Sequence, residues 1–164
     1  MSYPPPRYLG ESGEVSASHR PGGQPADLAY PSGTRVHYLA SSASTNGAFG
    51  LYRWEMGVTP GGADPHFHRG FSESFYLLSG TVRLYNGDTW IDATTGDFLF
   101  VPEGGIHAFR NESGAPASML ILFSPGAPRE EYFETLAELA AGREMTEEQR
   151  AEFFVRHDNN WLPS

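Results

Sequence analysis

Between residues 34 and 124 the chain breaks into short apolar segments, and this punctuation limits its fold more than any other feature. The segments read TRVHYLA, GAFGLYRWEMGV, SFYLLSG, TVRLYNG, TWIDA, DFLFV, IHAFRN and ASMLILF. Each is strand length, rich in β-branched, aliphatic or aromatic residues, and bounded by Gly, Asn, Pro or Ser. Strands at such spacing with no helices between them imply an all-β antiparallel sandwich or barrel. Asn86-Gly87 separates TVRLY from DTWIDA. Both residues tolerate the positive φ of a type I′ turn, so a hairpin is expected there.

The flanks have a different texture. Residues 1–33 are rich in Pro and Gly and lack apolar periodicity, as expected of an extended arm. Beyond FSPGAP the period becomes helical: Tyr132, Phe133, Leu136, Leu139 and Ala140 recur at helical spacing, acids lead the segment, and Gly142 stands where a helix would stop. A second helix is expected from Thr146, whose side chain would form a capping box with Gln149. Its Phe153, Phe154 and Val155 are expected to pack on the β core or on the first helix. The expected division is therefore an arm over residues 1–33, a β core over 34–124 and C-terminal helices and tail over 125–164.

Composition removes several function classes. A chain of 164 residues builds one sizeable core, so one domain is expected. Lys and Arg total 11 against 20 for Asp and Glu, and no basic stripe could track phosphates, so nucleic acid is not an expected partner. Cysteine is absent, which excludes disulfides, thiolate zinc sites and cysteine nucleophiles. No apolar run approaches the roughly 20 residues that span a bilayer, and the first residues lack a basic start followed by an apolar run. A cytoplasmic protein with no membrane partner is expected.

Chemistry concentrates in DPHFHRGFSESFYLLSG, residues 64–80. Strand side chains alternate faces, so His66 and His68 point the same way. Glu73 follows beyond an RGFS bend that can return its carboxylate to the pair. His107 lies in PEGGIHAFRN, where Pro102 and Gly104-Gly105 form a turn that can deliver a further imidazole. Three imidazoles and one carboxylate suit a single divalent transition metal: iron, manganese, nickel, cobalt, copper or zinc. A six-coordinate ion held by four protein ligands keeps two adjacent positions open, the mark of a catalytic rather than a structural site.

These residues match the two motifs of the cupin family. The first reads His66-x-His68-x4-Glu73-x6-Gly80, the second Gly96-x5-Pro102-x-Gly104-x2-His107-x3-Asn111, with fifteen residues between them. One departure concerns a turn: the family's opening Gly corresponds to Pro60, with Gly61 and Gly62 shifted along. The resemblance implies a jelly-roll β-barrel with the metal inside, held by His66, His68, Glu73 and His107. TNGAFGLYRWEM, GDFLFVPEGGIHAFRN and LILFSPGAPREEYFETLAEL extend a looser similarity, over about residues 34–141, to single-domain bacterial cupins related to quercetin 2,3-dioxygenase. That similarity implies oxidative cleavage of a flavonol-like or other enolic aromatic substrate by dioxygen, with Glu73 as a ligand or as the general base. It also makes a homodimer the expected assembly.

Strand parity from Glu73 places Phe75 and Leu77 inside, and parity from His107 places Phe109 inside, so Phe75 and Phe109 are candidate pocket walls. Tyr52 and Trp54 share one face of their strand, and Tyr52 is a further pocket candidate. The same ligands serve cupin isomerases, lyases and cyclases, in which the metal is a Lewis acid and dioxygen is not consumed. A non-catalytic small-molecule-binding cupin is the third alternative.

Overall fold

The computed structural model describes residues 2–162; residues 1, 163 and 164, the ends of the expected arm and tail, lie outside them. Among the described residues eleven strands and two helices follow one another. The strands are β1 (Leu28–Ala29), β2 (Arg35–Ala40), β3 (Gly50–Met56), β4 (Gly61–Phe67), β5 (Ser72–Ser79), β6 (Thr81–Tyr85), β7 (Trp90–Thr94), β8 (Phe98–Val101), β9 (His107–Asn111), β10 (Ala117–Ser124) and β11 (Asn160–Trp161). The helices are α1 (Glu130–Ala140) and α2 (Glu147–Arg156). Among the described residues no helix is long and apolar enough to cross a membrane.

The strands form two antiparallel sheets. One has six strands in the order β1-β2-β3-β10-β5-β8, the other five in the order β11-β4-β9-β6-β7. Alternation explains which face each sheet buries: along β3, Gly50, Tyr52, Trp54 and Met56 are buried while the residues between them are only partly covered. β10 repeats the pattern with Ala117, Met119, Ile121 and Phe123. These side chains join Phe75, Leu77, Val82, Leu84 and Phe109 in one core. The expected antiparallel β architecture is present as two sheets.

The expected hairpin joins β6 to β7, but its tip is shifted by one residue: Asn86 N–H donates to the Thr89 carbonyl at 3.2 Å and leaves Gly87-Asp88 between them. Gly87 takes the positive φ (93°), while Asn86 accepts from the amides of Asp88 and Thr89 through its side-chain oxygen. The Asn side chain thus helps to close the turn by accepting from its backbone amides. The arm's end also departs from an arm without regular structure, because Leu28 and Ala29 pair with Val36 and Arg35.

Both expected helices form. α1 lays Phe133 into the core, edge-on to Tyr52 and Trp54 at ring separations of 5.2 Å and 5.0 Å. Burying one such ring contributes about 1.5–3 kcal/mol. The Thr146–Gln149 capping box opens α2 as expected. Phe153 stacks on Tyr132 at 5.3 Å, but Val155 is 73% exposed, against expectation. Two residues along a helix turn the side chain by about 200°, so Phe153 and Val155 cannot share the buried face.

Candidate metal centre

The two sheets meet the site from opposite sides. Glu73 belongs to β5 of the six-stranded sheet, opposite Val101 and Phe123. His66 and His107 are direct cross-strand partners on β4 and β9 of the five-stranded sheet. His68 lies one residue past β4, where its carbonyl accepts from the Gly104 amide at 2.7 Å. That bond ties the Pro102–Gly105 turn to the end of β4 and brings the second imidazole to the third. Gly104 sits at φ 79°, which a β-carbon disfavours, so the turn needs glycine there.

All four side chains are buried, and one donor atom from each lies within 4.8 Å of the others. Glu73 Oε2 stands 3.0 Å from His68 Nε2 and 2.9 Å from His107 Nε2. Around an octahedral ion with bonds of about 2.1 Å, adjacent donors are about 3.0 Å apart, so these separations match the edges of one coordination shell. The outer nitrogens are equally ordered. Nδ1–H of His66 donates to the Asp64 carbonyl oxygen at 2.7 Å, that of His68 to Asp158 at 2.6 Å, and that of His107 to Gly105 at 3.0 Å. A carbonyl only accepts, so each Nδ1 carries the proton and each Nε2 presents a lone pair inward. Three inward lone pairs and a carboxylate fit a divalent transition ion.

The electrostatics agree. In the ion-free chain, where a proton takes the metal's place on Nε2, burial alone would raise the Glu73 carboxyl, but the charge of His107 and hydrogen bonds from His107 and His68 outweigh it and hold the group well below the usual carboxylate range. Burial, then the charge of His107, pushes His66 down to about 3, so it is neutral at physiological pH and free to bind a cation. For His107 burial acts downward, and the Glu73 carboxylate overcomes it and raises the group.

A cavity of about 100 Å³ adjoins the cluster, lined by His66, Glu73, Trp54, Phe109, Tyr132 and Phe133 among others. Phe109 lies on this lining, and Trp54 is the member of the Tyr52/Trp54 pair that reaches it. Phe75 and Tyr52 are fully buried outside its lining. Phe75 packs against Phe109 at 5.9 Å and His107 at 6.0 Å, and the Tyr52 hydroxyl donates to Glu130 Oε1 at 2.6 Å. Asn111, the last residue of the second motif, donates to the carbonyls of Gly57 and Ala115 and holds a turn.

Arg129, Tyr132, Asp158 and Asn159 surround the site without having been marked by sequence. Tyr132 carries a signal only as part of the apolar face of α1. Asp158 and Asn159 sit in HDNNWL, which has neither period nor motif, yet β11 pairs Asn160 with Phe67 and Trp161 with His66.

A buried three-histidine, one-carboxylate cluster between two β sheets could hold a metal ion, the arrangement of the cupin motifs. Residues 54–123 match the cupin domain family, and this part of the chain is a cupin domain. Over 125 residues the chain is 30% identical to quercetin 2,3-dioxygenase of Bacillus subtilis, a match covering 76% of this chain and 36% of that protein. It thus spans little more than a third of that relative. It is 29% identical over 118 residues to the tetracenomycin polyketide synthase protein TcmJ of Streptomyces glaucescens, covering 71% of each. Among solved structures, an RmlC-like cupin from Shewanella frigidimarina superposes with a TM-score of 0.55 at 19% identity, over 71% of this chain and 96% of that one.

Proposed function

We propose that the chain is a metal-dependent dioxygenase acting on a flavonol-like or other enolic aromatic substrate, with His66, His68, Glu73 and His107 as metal ligands. The observation that carries this reading is the convergence of three Nε2 lone pairs and one carboxylate oxygen beside an aromatic-walled cavity. Similarity to quercetin 2,3-dioxygenase supports the reaction class. A divalent ion held by these four residues would supply Lewis acidity to an enol oxygen. Glu73 accepts the enol proton: it is ionised, and its Oε2 faces the imidazoles while Oε1 makes no hydrogen bond among the described residues. Trp54 and Phe109 offer flat walls, Phe75 backs Phe109 and His107, and Tyr52 braces α1 through Glu130. Burial holds the Tyr132 hydroxyl proton on, at about 12, and that hydroxyl donates to Asn159 Oδ1.

Small-molecule sites commonly enclose about 300–1,000 Å³. A cavity of about 100 Å³ is smaller, so a compact enol fits it better than a flavonol, which needs α1 to move outward.

A Lewis-acid cyclase, isomerase or lyase is the second reading, favoured by the similarity to a polyketide synthase protein and by the two tyrosines, Tyr30 and Tyr132, on the cavity wall. Oxygen uptake by metal-loaded protein across flavonols and smaller enols separates the readings. One dioxygen consumed per substrate cleaved is expected. Conversion without oxygen uptake would move the assignment to the second reading, and binding without conversion would leave a small-molecule-binding cupin.

The proposal includes the division into a 1–33 arm, a 34–124 jelly-roll barrel whose walls are the two sheets, and 125–164 helices and tail. It also includes a homodimer. Tyr76, Leu78, Phe98 and Phe100 are exposed on β5 and β8, and β8 is a sheet edge, so a second copy would cover both apolar surface and unpaired backbone. Light scattering at micromolar concentration should give twice the chain mass; the monomer mass would contradict it.

A further inference from the structure

Two donors on the cavity wall have nothing to donate to. Arg129 is 3% exposed and Asn159 is 2% exposed, yet Arg129 Nε and Asn159 Nδ2 have no hydrogen-bond partner among the described residues. Both residues line the cavity that His66 and Glu73 also line. A buried donor left unsatisfied costs about 1–3 kcal/mol, and more when it belongs to a charged group, so each such group calls for a partner: a ligand, an ion or a water.

Their surroundings hold them in place. The Arg129 guanidinium lies 3.9 Å from the centre of the Tyr132 ring, with Phe71, Phe123 and Phe133 at 5.4–5.6 Å. Its Nη1 donates to the His157 carbonyl at 2.7 Å. No carboxylate forms an ion pair with it among the described residues, so its charge is balanced only at longer range. The Tyr132 hydroxyl donates to Asn159 Oδ1 at 3.0 Å. That bond fixes the amide's oxygen end and leaves its NH2 end as the free donor.

We infer that Arg129 and Asn159 form an anion subsite, and that the substrate is a small enol bearing a carboxylate whose oxygens accept from Arg129 Nε and Asn159 Nδ2. This rests on the metal-site reading above and narrows its substrate. Glu73 offsets only half the charge of a divalent ion, and Arg129 adds a further positive charge, so the loaded cavity is cationic and favours an anion over a neutral flavonol. Its size points the same way, since a compact acid fills about 100 Å³ and a three-ring flavonol exceeds it. Charge-assisted bonds to a carboxylate would satisfy both orphaned donors at once.

The test uses cobalt(II)-loaded protein with salicylate and its neutral counterpart salicylamide, followed by the visible spectrum of the ion and by calorimetry. Salicylate is expected to bind at least ~10-fold more tightly than the amide. Asn159→Asp keeps the oxygen that Tyr132 donates to and replaces the donor by a negative charge, and it is expected to abolish that preference. Arg129→Gln should do the same, with circular dichroism checking its fold and the Asn159 variant deciding if it does not fold. Equal affinities in the parent protein, no saturable binding of salicylate, or an unchanged preference in Asn159→Asp would overturn the subsite. Because no turnover is measured, failure of the dioxygenase reading leaves these outcomes unaffected, and loss of cobalt binding would expose failure of the metal site itself.

Discussion

His68 Nδ1–H donates to the carbonyl oxygen of Asp158 at 2.6 Å, across 90 residues of sequence. The C-terminal segment therefore orients one of the imidazoles. The Asp158 side chain fastens this contact, because Oδ2 accepts from the amides of Arg69 at 2.8 Å and Gly70 at 2.7 Å. Partners that orient a metal-binding histidine contribute about 10–100-fold to metal affinity. Asp158→Ala is accordingly expected to weaken metal binding by at least ~10-fold, measured by chelator competition. Asp158→Asn keeps an acceptor oxygen and should stay near the parent value; parent affinity in the alanine variant would contradict the fastening.

Glu73→Gln separates binding from proton transfer. The three histidines still hold the ion and the amide oxygen remains a poor ligand, so metal is only partly lost. An amide cannot accept a proton near neutral pH, and activity per bound metal should fall at least ~100-fold. The comparison is made at matched metal occupancy. Near-parent turnover would make Glu73 a ligand only.

Acid should destabilise the metal-stripped protein through His66. Its folded-state value of about 3 lies below the 6.5 of an unburied histidine, so between these values the unfolded chain binds a proton that the folded chain refuses. Stability is then full above about 6.5 and falls as the pH drops toward 3. From pH 7 to pH 5 this one group accounts for a loss of about 2 kcal/mol. Urea unfolding at the two pH values should show that loss, and His66→Gln should remove most of it; an equal loss in both proteins would contradict the assignment.

The sequence carried the strands, both helices and the cluster, because alternation, helical period and motif spacing are local signals. Where contact is long-range, it was silent. Pro60 stands where the first motif opens with glycine, but the position that demands glycine is Gly62, where a β-carbon would collide with the Phe109 carbonyl oxygen across the β4–β9 ladder. Only that ladder reveals it. Tyr52 and Trp54 share a face, yet which of them reaches the cavity depends on α1, whose Phe133 packs on both rings. Arg129 precedes an acidic helix and reads as a surface charge, although four aromatic rings enclose it.

X-ray absorption at the metal edge of natively purified protein tests the central claim most directly. The expected result is one ion per chain with three nitrogen ligands and at least one oxygen at about 2.0–2.2 Å, and loss of that signature in a His66→Ala, His107→Ala variant that remains folded. A protein purified without a transition metal that also fails to take one up, or an ion whose shell is unchanged in that variant, would contradict the account.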